Sequence, residues 1–389
     1  MIIKGYKYRL SPNKWQQVLL EKHFGATRWI FNYGLRKKVE EYQKHKKNLS
    51  CFQISKELPI LKGREDTEWL KEINAQSLQM SLRNLDNAYT NFFKKRNKFP
   101  KFKSKKNKNS FTISQHNRVN FKNSKAFFLK LGYINIIIDR EFNDRIVKAT
   151  ISKNNINQYF VSYTVEETIN AKKLKKIKEK TTIGIDLGIK HFAILSNGEK
   201  IENPKLLIKS EKRLAILQRR LSKKKKNSKN SIKAKFRVSK IYNKISNQRS
   251  DFLHNLTSKL INDNQVDTYA IENLNINGML KNHCLAKSIS DVSWGEFVRQ
   301  LTYKCEWYGK NLITIGRFEP SSKMCSCGYI NKELKLSDRE WTCPECKAVH
   351  DRDILASNNI KKFALSPLNK KNREVVSRSV CGAVAIAKH

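Results

Sequence analysis

The most constraining feature of the chain is a short apolar run near its middle that carries an acid. The run TTIGIDLG is rich in β-branched residues and predicts a strand, and Asp186 lies within it. Asp is depleted in strands, and burying an unpaired carboxylate is costly. We therefore expect Asp186 either to be exposed at a strand end or to hold a cation. A second run, HFAILS, and the turn Asn197-Gly198 predict a hairpin directly afterwards.

Two further carboxylates occupy comparable positions downstream. Glu272 ends the apolar run VDTYAIE, and Asp353 lies at a predicted helix start in HDRDILASNNI. Three carboxylates on separate elements are what a two-metal phosphodiester-cleaving site requires, because hard oxygen ligands hold Mg²⁺. For each acid taken alone, a solvent-facing strand end or a helix cap is the better explanation. The three in this order favour the metal site.

Four cysteines form two close pairs, Cys325 with Cys327 and Cys343 with Cys346. Thiolates are soft ligands, and two such pairs brought together predict one tetrahedral structural Zn²⁺. The first pair has one intervening residue where a zinc knuckle normally has two. The alternative is a ribbon held by its strands and Trp341 without metal. His350 is either a substitute ligand or a neighbour of the active site.

These motifs together resemble the RuvC-type nuclease core of the transposon-encoded TnpB family, relatives of the type V CRISPR effectors. GIDLG, IENLNI, a cysteine ribbon and HDRD follow one another in the order of that family, and the resemblance covers nearly the whole chain. It implies that Asp186, Glu272 and Asp353 are catalytic and hold two Mg²⁺ ions, or Mn²⁺ as a substitute.

The family's last motif assigns the metal ligand to the second Asp of HDRD. That Asp is Asp353, which leaves Asp351 as a helix cap or a supporting group. Leu355 stands where the family has Asn and Ser357 where it has Ala, whereas Asn359 and the following Ile are retained. The missing Asn is expected to weaken the support of the catalytic Asp.

The charge balance predicts a polyanionic partner. Lys and Arg number 79 against 34 Asp and Glu, a net charge of +45. A membrane surface is the rival partner, but no basic amphipathic segment and no apolar run of about 20 residues stands out. The N-terminal MIIKGYKYRL is not a signal peptide. The sequence therefore predicts no membrane association and a cytoplasmic, nucleoid-associated protein of a prokaryote.

Two lysine-rich stretches are predicted to contact nucleic acid. Residues 94–108 carry nine basic residues and no acid, with two Phe residues interleaved, which suits phosphate contacts and base stacking. A solvated, disordered linker is the alternative. The predicted contact residues are Lys94, Lys95, Arg96, Lys98, Phe99, Lys101, Phe102, Lys103, Lys105 and Lys106 in this stretch, and Lys223, Lys224, Lys225 and Lys226 in the second.

The predicted fold is a multidomain chain of α/β and α+β type. A helix is predicted to start at Ser11-Pro12, and an irregular loop is predicted over Asn273–Asp291. The predicted domains are a β-barrel-like, wedge-like domain (1–12 and 107–170), an inserted helical recognition domain (13–106), a basic linker (171–180), an RNase H-like (RuvC) core (181–320 and 350–365) with an inserted helical hairpin (205–262), a zinc ribbon (321–349) and a C-terminal tail (366–389).

The resemblance implies an RNA-guided DNA endonuclease of an insertion sequence. Its partners would be a guide RNA from the transposon end and double-stranded target DNA, and its oligomeric state stays open. The alternative is a guide-RNA-directed DNA-binding protein or repressor whose cleavage is impaired. A DNA-strand transferase ranks last, since it would need a nucleophilic Tyr or Ser with a metal-binding His pair, and no such constellation stands out.

Overall fold

A computed structural model describes most of the chain as two compact units, Met1–Asn170 and Ala171–His389. The predicted C-terminal tail lies outside the described residues, apart from Ser366 and one two-residue strand. The described residues are 2–106, 108–168, 173–335 and 338–366, with the backbone of 374–375. Among them, no helix is long and apolar enough to cross a membrane.

The first unit is built on a seven-stranded antiparallel sheet. Its strands are β1 (Ile2–Ser11), β2 (Asn109–Ile113), β3 (Asn117–Asn120), β4 (Lys125–Phe128), β5 (Gly132–Ile137), β6 (Arg145–Lys153) and β7 (Tyr159–Glu167). Their order in the sheet is β2-β6-β7-β1-β5-β4-β3, so the first strand of the chain lies in the middle. Strand β1 pairs with β7 along nearly its whole length and with β5 through its last three residues.

One core fills the inner face of this sheet. Buried and partly exposed residues alternate along β7, as the period of two predicts for a half-buried strand. Tyr8, Phe128 and Tyr163 belong to this core, and each is no more than 1% exposed. The ring of Tyr163 contacts the rings of both Tyr8 and Phe128. The Tyr8 hydroxyl donates a hydrogen bond of 2.8 Å to the carbonyl oxygen of Arg140.

The helices of the first unit are inserted between β1 and β2. They are α1 (Lys14–His45), α2 (Cys51–Ser55), α3 (Leu58–Gly63), a 3₁₀ helix (Glu65–Glu72) and α4 (Ala75–Phe93). The predicted helix start at Ser11-Pro12 is wrong, because Ser11 ends β1 and Asn13 is the cap. The Asn13 side chain accepts the N–H of Gln16 at 2.8 Å and the Gln16 side chain accepts the N–H of Asn13 at 3.0 Å, a reciprocal capping box.

The second unit contains a six-stranded mixed sheet. Its strands are β8 (Thr182–Leu187), β9 (His191–Leu195), β10 (Lys200–Glu202), β11 (Thr268–Glu272), β12 (Asn311–Ile315) and β15 (Glu374–Val375), in the order β10-β9-β8-β11-β12-β15. Strands β8, β11 and β12 are parallel, while β9, β10 and β15 run antiparallel to their neighbours. Ile185, Tyr269 and Phe297 are fully buried in the core on one side of this sheet.

In the part of the second unit that the structure describes, six α-helices, one 3₁₀ turn (Glu179–Thr181) and a small ribbon surround the sheet. The ribbon hairpin consists of β13 (Glu340–Thr342) and β14 (Val349–Asp351). The helices are α5 (Leu206–Ser222), α6 (Lys229–Asn262), α7 (Ile276–Met279), α8 (His283–Val292), α9 (Trp294–Tyr308) and α10 (Arg352–Leu365). The irregular loop predicted over Asn273–Asp291 is wrong, because α7 and α8 occupy it and α8 buries Ile289 and Val292 in the core.

Asp291, near the end of α8, fixes the start of the hairpin formed by α5 and α6. Its carboxylate accepts the N–H of Leu207 at 3.0 Å and the guanidinium of Arg249 at 2.7 Å. In the segment predicted as a basic linker, the N–H of Lys175 donates to the carbonyl oxygen of Gly309 at 3.1 Å, and its ammonium lies 2.5 Å from Asp267. The part of that segment that the structure describes is therefore held against the sheet.

Candidate active site and metal centre

Asp186 and Glu272 lie side by side at the ends of two parallel strands. Strands β8 and β11 pair in register from Thr182 opposite Thr268 to Ile185 opposite Ile271, so the two acids form the next pair along. Parallel strands present their carboxyl ends at the same edge of a sheet, which is where α/β folds place their ligands. Both acids are partly buried.

Gly184 allows α10 to pack directly on β8, and this packing brings in the third acid. A Cβ atom at Gly184 would lie 2.0 Å from the carbonyl oxygen of Ser357 and 2.8 Å from the backbone nitrogen of Lys361. Real Cβ contacts are never that close, so only Gly fits there. Asp353 lies one helical turn before Ser357, on the same face of α10, while Asp186 lies two residues beyond Gly184. The helix therefore directs Asp353 toward Asp186.

The charges of Glu272 and Asp353 act on Asp186. Burial, together with the charges of Glu272 and Asp353, raises the pKa of Asp186 to about 7, although Arg352 opposes this shift. Burial also raises the pKa of Glu272. Like charges on partly desolvated groups disfavour ionisation, and a bound cation reverses that effect. The hard oxygen ligands and their mutual repulsion fit a divalent cation such as Mg²⁺.

Asp351 caps α10 and thereby fixes where Asp353 begins the helix. Its carboxylate accepts the N–H groups of Asp353 at 3.0 Å and Ile354 at 3.1 Å, and the Lys200 ammonium at 2.7 Å. Burial opposes ionisation here, but these hydrogen bonds outweigh it and hold the pKa of Asp351 below its ordinary value. The cap predicted for Asp351 is confirmed.

Arg339 is a site residue that the sequence did not reveal. Its Nη1 atom lies 3.3 Å from each carboxylate oxygen of Asp353. The carbonyl oxygen of Arg339 accepts the N–H of Arg352 at 2.8 Å, so the ribbon backbone holds this arginine beside the start of α10. The spacing of the cysteines carries no signal for this contact, since it depends on how the ribbon folds back onto the helix.

The four predicted zinc cysteines converge. Their sulfur atoms all lie within 4.8 Å of one another, with 3.4 Å between Cys325 and Cys346 and 3.7 Å between Cys327 and Cys343. A tetrahedral Zn²⁺ with bonds of about 2.3 Å requires sulfur atoms about 3.8 Å apart, so the cluster fits the ion. In the described part of the chain no other three His, Cys, Asp or Glu side chains are this close, so the active-site carboxylates are more widely spaced than the thiols.

The shortened first knuckle closes through a glycine. The N–H of Gly328 donates to the carbonyl oxygen of Cys325 at 3.0 Å, and Gly328 adopts φ +103°, which a residue with a side chain rarely does. His350 lies against this cluster, with Nε2 3.0 Å from the Cys325 sulfur and its ring 5.0 Å from that of Trp341.

One departure from the family's last motif, Leu355, and one retained residue, Asn359, both connect α10 to the ribbon. Leu355, in place of Asn, is buried in an apolar cluster with Cys325, Trp341 and Cys343, so it packs under the ribbon. The retained Asn359 donates to the carbonyl oxygens of Ser321 at 2.8 Å and Met324 at 2.6 Å. Helix α10 is therefore tied to both the sheet and the ribbon.

The predicted nucleic-acid-binding stretch of residues 94–106 folds back on α1 and α4. The Asn32 side chain accepts the backbone N–H of Lys103 at 2.7 Å and donates to its carbonyl oxygen at 2.9 Å. Phe99 packs edge-on against Tyr89 and Phe92, so its ring serves packing as well, while Phe102 is 59% exposed. The disordered-linker alternative does not describe these residues.

The remaining predicted lysines differ in their surroundings. The ammonium of Lys103 lies 3.8 Å from the centre of the Phe31 ring, and burial lowers the pKa of Lys103. Lys223 to Lys226 are exposed in the loop between α5 and α6. The hairpin loop therefore presents its cationic groups to solvent, as a phosphate-binding surface requires.

Family models match three parts of the chain. Residues 160–283 match the OrfB family of IS605 elements, described as "Probable transposase", and residues 294–360 match a "Cas12f1-like, TNB domain". Residues 1–47 match a "Helix-turn-helix domain" of the same IS605 family. In the structure this last part contains strand β1 and the single long helix α1 rather than two helices and a turn.

Relatives and a solved structure match along nearly the full length. A "Putative RNA-guided DNA endonuclease" of Streptomyces pristinaespiralis is 37% identical, over 93% of this chain and 90% of its own. The "Putative RNA-guided DNA endonuclease InsQ" of Escherichia coli K12 is 29% identical, over 92% and 91%. The fold is similar to that of the protein in a cryo-EM structure of a Cas12f1–sgRNA–target DNA complex, with a TM-score of 0.57 and 12% identity over 92% of this chain and 98% of that chain.

The second unit has a mixed sheet with acids at one edge and a cysteine ribbon packed beside it. Together with the matches above, these features define a transposon-encoded protein that shares its fold with Cas12f1. The chain belongs to the TnpB family, the OrfB proteins of IS605-type insertion sequences.

Proposed function

We propose that the chain is an RNA-guided DNA endonuclease of an insertion sequence, with one RuvC-type site on its second unit. Relatives that match over about nine-tenths of their own length are named for this activity, and the fold is similar to that of a protein solved with guide RNA and target DNA. The net charge of +45 suits two polyanionic partners. The proposed partners are a guide RNA from the transposon end and double-stranded DNA.

The observation that supports the catalytic proposal is that Asp186 and Glu272 end neighbouring parallel strands, while Asp353 lies on the helix that packs directly on β8. Asp186 and Glu272 are neighbours across β8 and β11, and α10 brings Asp353 close enough to raise the pKa of Asp186. A set of mutually repelling, partly buried acids is unfavourable without a cation. We infer that these acids hold two Mg²⁺ ions, or Mn²⁺ in their place.

Each residue of the site has a proposed role. Two divalent ions, when bound, supply an activated water and neutralise the charge that develops on the leaving 3′ oxygen. Asp186 and Glu272 provide ligands from rigid strand ends, and Asp353 provides one from the helix. Asp351 and Lys200 keep the start of α10 in place, so they position Asp353 rather than contact the substrate.

We further propose that Cys325, Cys327, Cys343 and Cys346 hold one structural Zn²⁺. The sulfur separations of 3.4 Å and 3.7 Å support this role despite the shortened first pair. The ion would cross-link a ribbon whose described strands are only three residues each. Because Asn359 and Leu355 connect this ribbon to α10, the zinc site would stabilise the placement of Asp353.

The test is a DNA-cleavage assay with protein purified together with the RNA made from its native flanking DNA. Asp186→Asn and Glu272→Gln should each reduce Mg²⁺-dependent cleavage by at least about 100-fold, because each removes a charged metal ligand, and should leave nucleic-acid binding nearly unchanged. Asp251→Asn, at an exposed position on α6, is the matched control and should cleave normally. Wild-type cleavage by Asp186→Asn would remove Asp186 from the site.

The alternative function is guide-directed DNA binding with impaired cleavage. The observation in its favour is the contact between Arg339 and Asp353, which occupies the third metal ligand. The same assay separates the two functions. Sequence-specific DNA binding without Mg²⁺- or Mn²⁺-dependent cleavage by the wild-type protein would support the alternative.

A further inference from the structure

A cavity on the first unit has the composition of a nucleotide-binding site, although nothing in the proposed catalytic chemistry uses it. Its volume is about 540 Å³, within the range of ligand pockets in proteins. It lies between α1, the 3₁₀ helix and residues 103–105 of the basic stretch. Trp29 and Trp69 form its aromatic wall, and Ala26 lies buried at its floor.

The aromatic wall is rigid on one side and open on the other. Trp29 stacks on Tyr33, with 5.4 Å between ring centroids and 12° between planes, so a partner already supports one side of its indole. Trp69 meets Trp29 edge-on at 5.8 Å and 80°. The Trp69 side chain is 40% exposed, so part of its indole is accessible from the cavity. A flat ring entering the cavity would meet this indole.

The rim of the cavity is cationic. Lys22, Arg28 and Lys105 border it, against the acid Glu72, while the ammonium of Lys103, which also lines the cavity, lies over the ring of Phe31. The ammonium of Lys22 lies 2.5 Å from Glu72, so that pair is internally neutral. Arg28 donates to the side-chain oxygen of Asn109 at 2.6 Å, an interaction that orients the guanidinium without neutralising it. The site therefore retains positive charge beside an aromatic wall.

The basic side of the cavity is preformed. The two hydrogen bonds between the Asn32 side chain and the backbone of Lys103 fix the segment that carries Lys105 against α1. A flexible lysine-rich strand would have to be ordered on binding, at an entropic cost, whereas this one is already in position. An aromatic wall and a fixed cationic rim on one cavity fit a ligand with a flat ring and an attached anion.

We propose that this cavity takes one unstacked nucleotide of a bound polynucleotide, with the base against Trp69 and Trp29 and the phosphate beside Arg28 and Lys105. Base stacking on aromatic side chains combined with backbone contacts to cations is how proteins hold single-stranded nucleic acid. The inference rests on the proposed function only for the presence of RNA and DNA, and it does not involve the catalytic acids. The nucleotide belongs either to the guide RNA or to an opened DNA strand.

The experiment measures binding and photochemical cross-linking by the full chain without divalent cations. The probes are single-stranded RNA and DNA of about 12 nucleotides, a length within known single-strand sites, each carrying one 5-iodouracil. Wild-type protein should form an adduct at Trp69 or Trp29, and the probe that forms it identifies the source of the nucleotide. Adducts confined to Trp15, which is 62% exposed on the same helix but outside the cavity, would overturn the proposal.

Matched variants make the result independent of folding. Trp69→Ala should weaken binding of the cross-linking probe by about 5- to 100-fold, the value of one stacked base, and Trp69→Phe should restore most of it. Trp15→Ala should have no such effect. Lys105→Ala should weaken binding by several fold, whereas Lys44→Ala, a change at an exposed position of α1 outside the cavity, should not.

The outcomes separate this inference from the proposed function. Binding that is unchanged in Trp69→Ala and equal in the two lysine variants would overturn the nucleotide site while leaving the endonuclease proposal intact. A protein that binds none of the probes would contradict both. If the Asp186→Asn variant loses guide-directed cleavage but still forms the adduct at Trp69, the two sites act separately.

Discussion

Arg339 Nη1 lies 3.3 Å from both carboxylate oxygens of Asp353, so a cation from the ribbon already contacts one of the three acids. The arginine side chain is 51% exposed and the aspartate 19%, which makes this a weak, partly solvated pair. A divalent ion bound by Asp353 would compete with the guanidinium for the same oxygens. The contact therefore links the ribbon to the charge state of the active site.

Replacing Arg339 should strengthen metal binding. In Arg339→Ala the competing cation is gone, and we expect Mn²⁺ affinity to rise by about two- to fivefold, the size of a partly exposed ion pair. Titration followed by electron paramagnetic resonance measures this affinity directly. Arg317→Ala, at an exposed position just after β12, is the control and should bind Mn²⁺ like the wild type. Weaker binding by Arg339→Ala would contradict competition.

The metal-free protein should lose stability as the pH rises between about 4 and 7. The pKa of Asp186 is about 7 in the folded chain and near 3.8 unfolded, so within this window the folded state binds the extra proton. The resulting penalty is complete above pH 7 and amounts to at most about 4 kcal/mol.

Thermal unfolding in EDTA tests this pH dependence. The side chain at position 186 cannot ionise in Asp186→Asn. The free energy of unfolding of this variant, minus that of the wild type, should therefore increase from pH 4.5 to pH 8. Adding Mg²⁺ at pH 8 should raise the unfolding temperature of wild type more than that of Asp186→Asn. A difference between the two proteins that stays constant with pH would show that burial does not raise this pKa.

Adding one methyl group at Gly184 should displace α10. The Cβ atom would lie 2.0 Å from the Ser357 carbonyl oxygen, which is backbone and cannot move alone. We expect Gly184→Ala to destabilise the second unit by at least about 2 kcal/mol and to abolish cleavage as Asp353 shifts. Gly295→Ala is the control, because its Cβ meets only a side-chain atom at 3.5 Å and Ala favours the helix. Equal stability of the two variants would contradict the close approach.

The ribbon should bind one zinc ion despite its shortened knuckle. Elemental analysis of the purified protein should find about one Zn²⁺ per chain, and Cys327→Ser should lose it because three thiolates remain. Cys284→Ser, at an exposed isolated cysteine, should keep the ion. Full zinc content in Cys327→Ser would show that a residue such as His350, whose Nε2 lies 3.0 Å from the Cys325 sulfur, replaces the thiolate.

The positions of the acids could be anticipated because the pattern that reveals them is local. An apolar strand that ends in a carboxylate is visible in the sequence for both Asp186 and Glu272, and HDRD marks the start of α10. That the two strands are parallel neighbours depends on long-range pairing, which the resemblance implied and periodicity alone did not. Asp351 as helix cap followed from local chemistry, and the structure bears it out.

Other features could not be read from local patterns. Ser11 and Asn13 are both good caps, and the pairing of β1 with β5 through Ser11 decides between them. Arg339 contacts Asp353 from a different element of the fold. Trp29 and Trp69, which form the cavity wall, also lie on different elements and are distant along the chain. Tertiary packing creates them, so neither periodicity nor spacing carries a signal for them.

The most direct test of the central claim is an anomalous-difference map from crystals of the protein soaked in Mn²⁺. We predict two peaks about 3.5–4 Å apart at the carboxyl ends of β8 and β11, with oxygen atoms of Asp186, Glu272 and Asp353 within about 2.3 Å of them. Peaks at other positions, with none bound by these three carboxylates, would contradict the account.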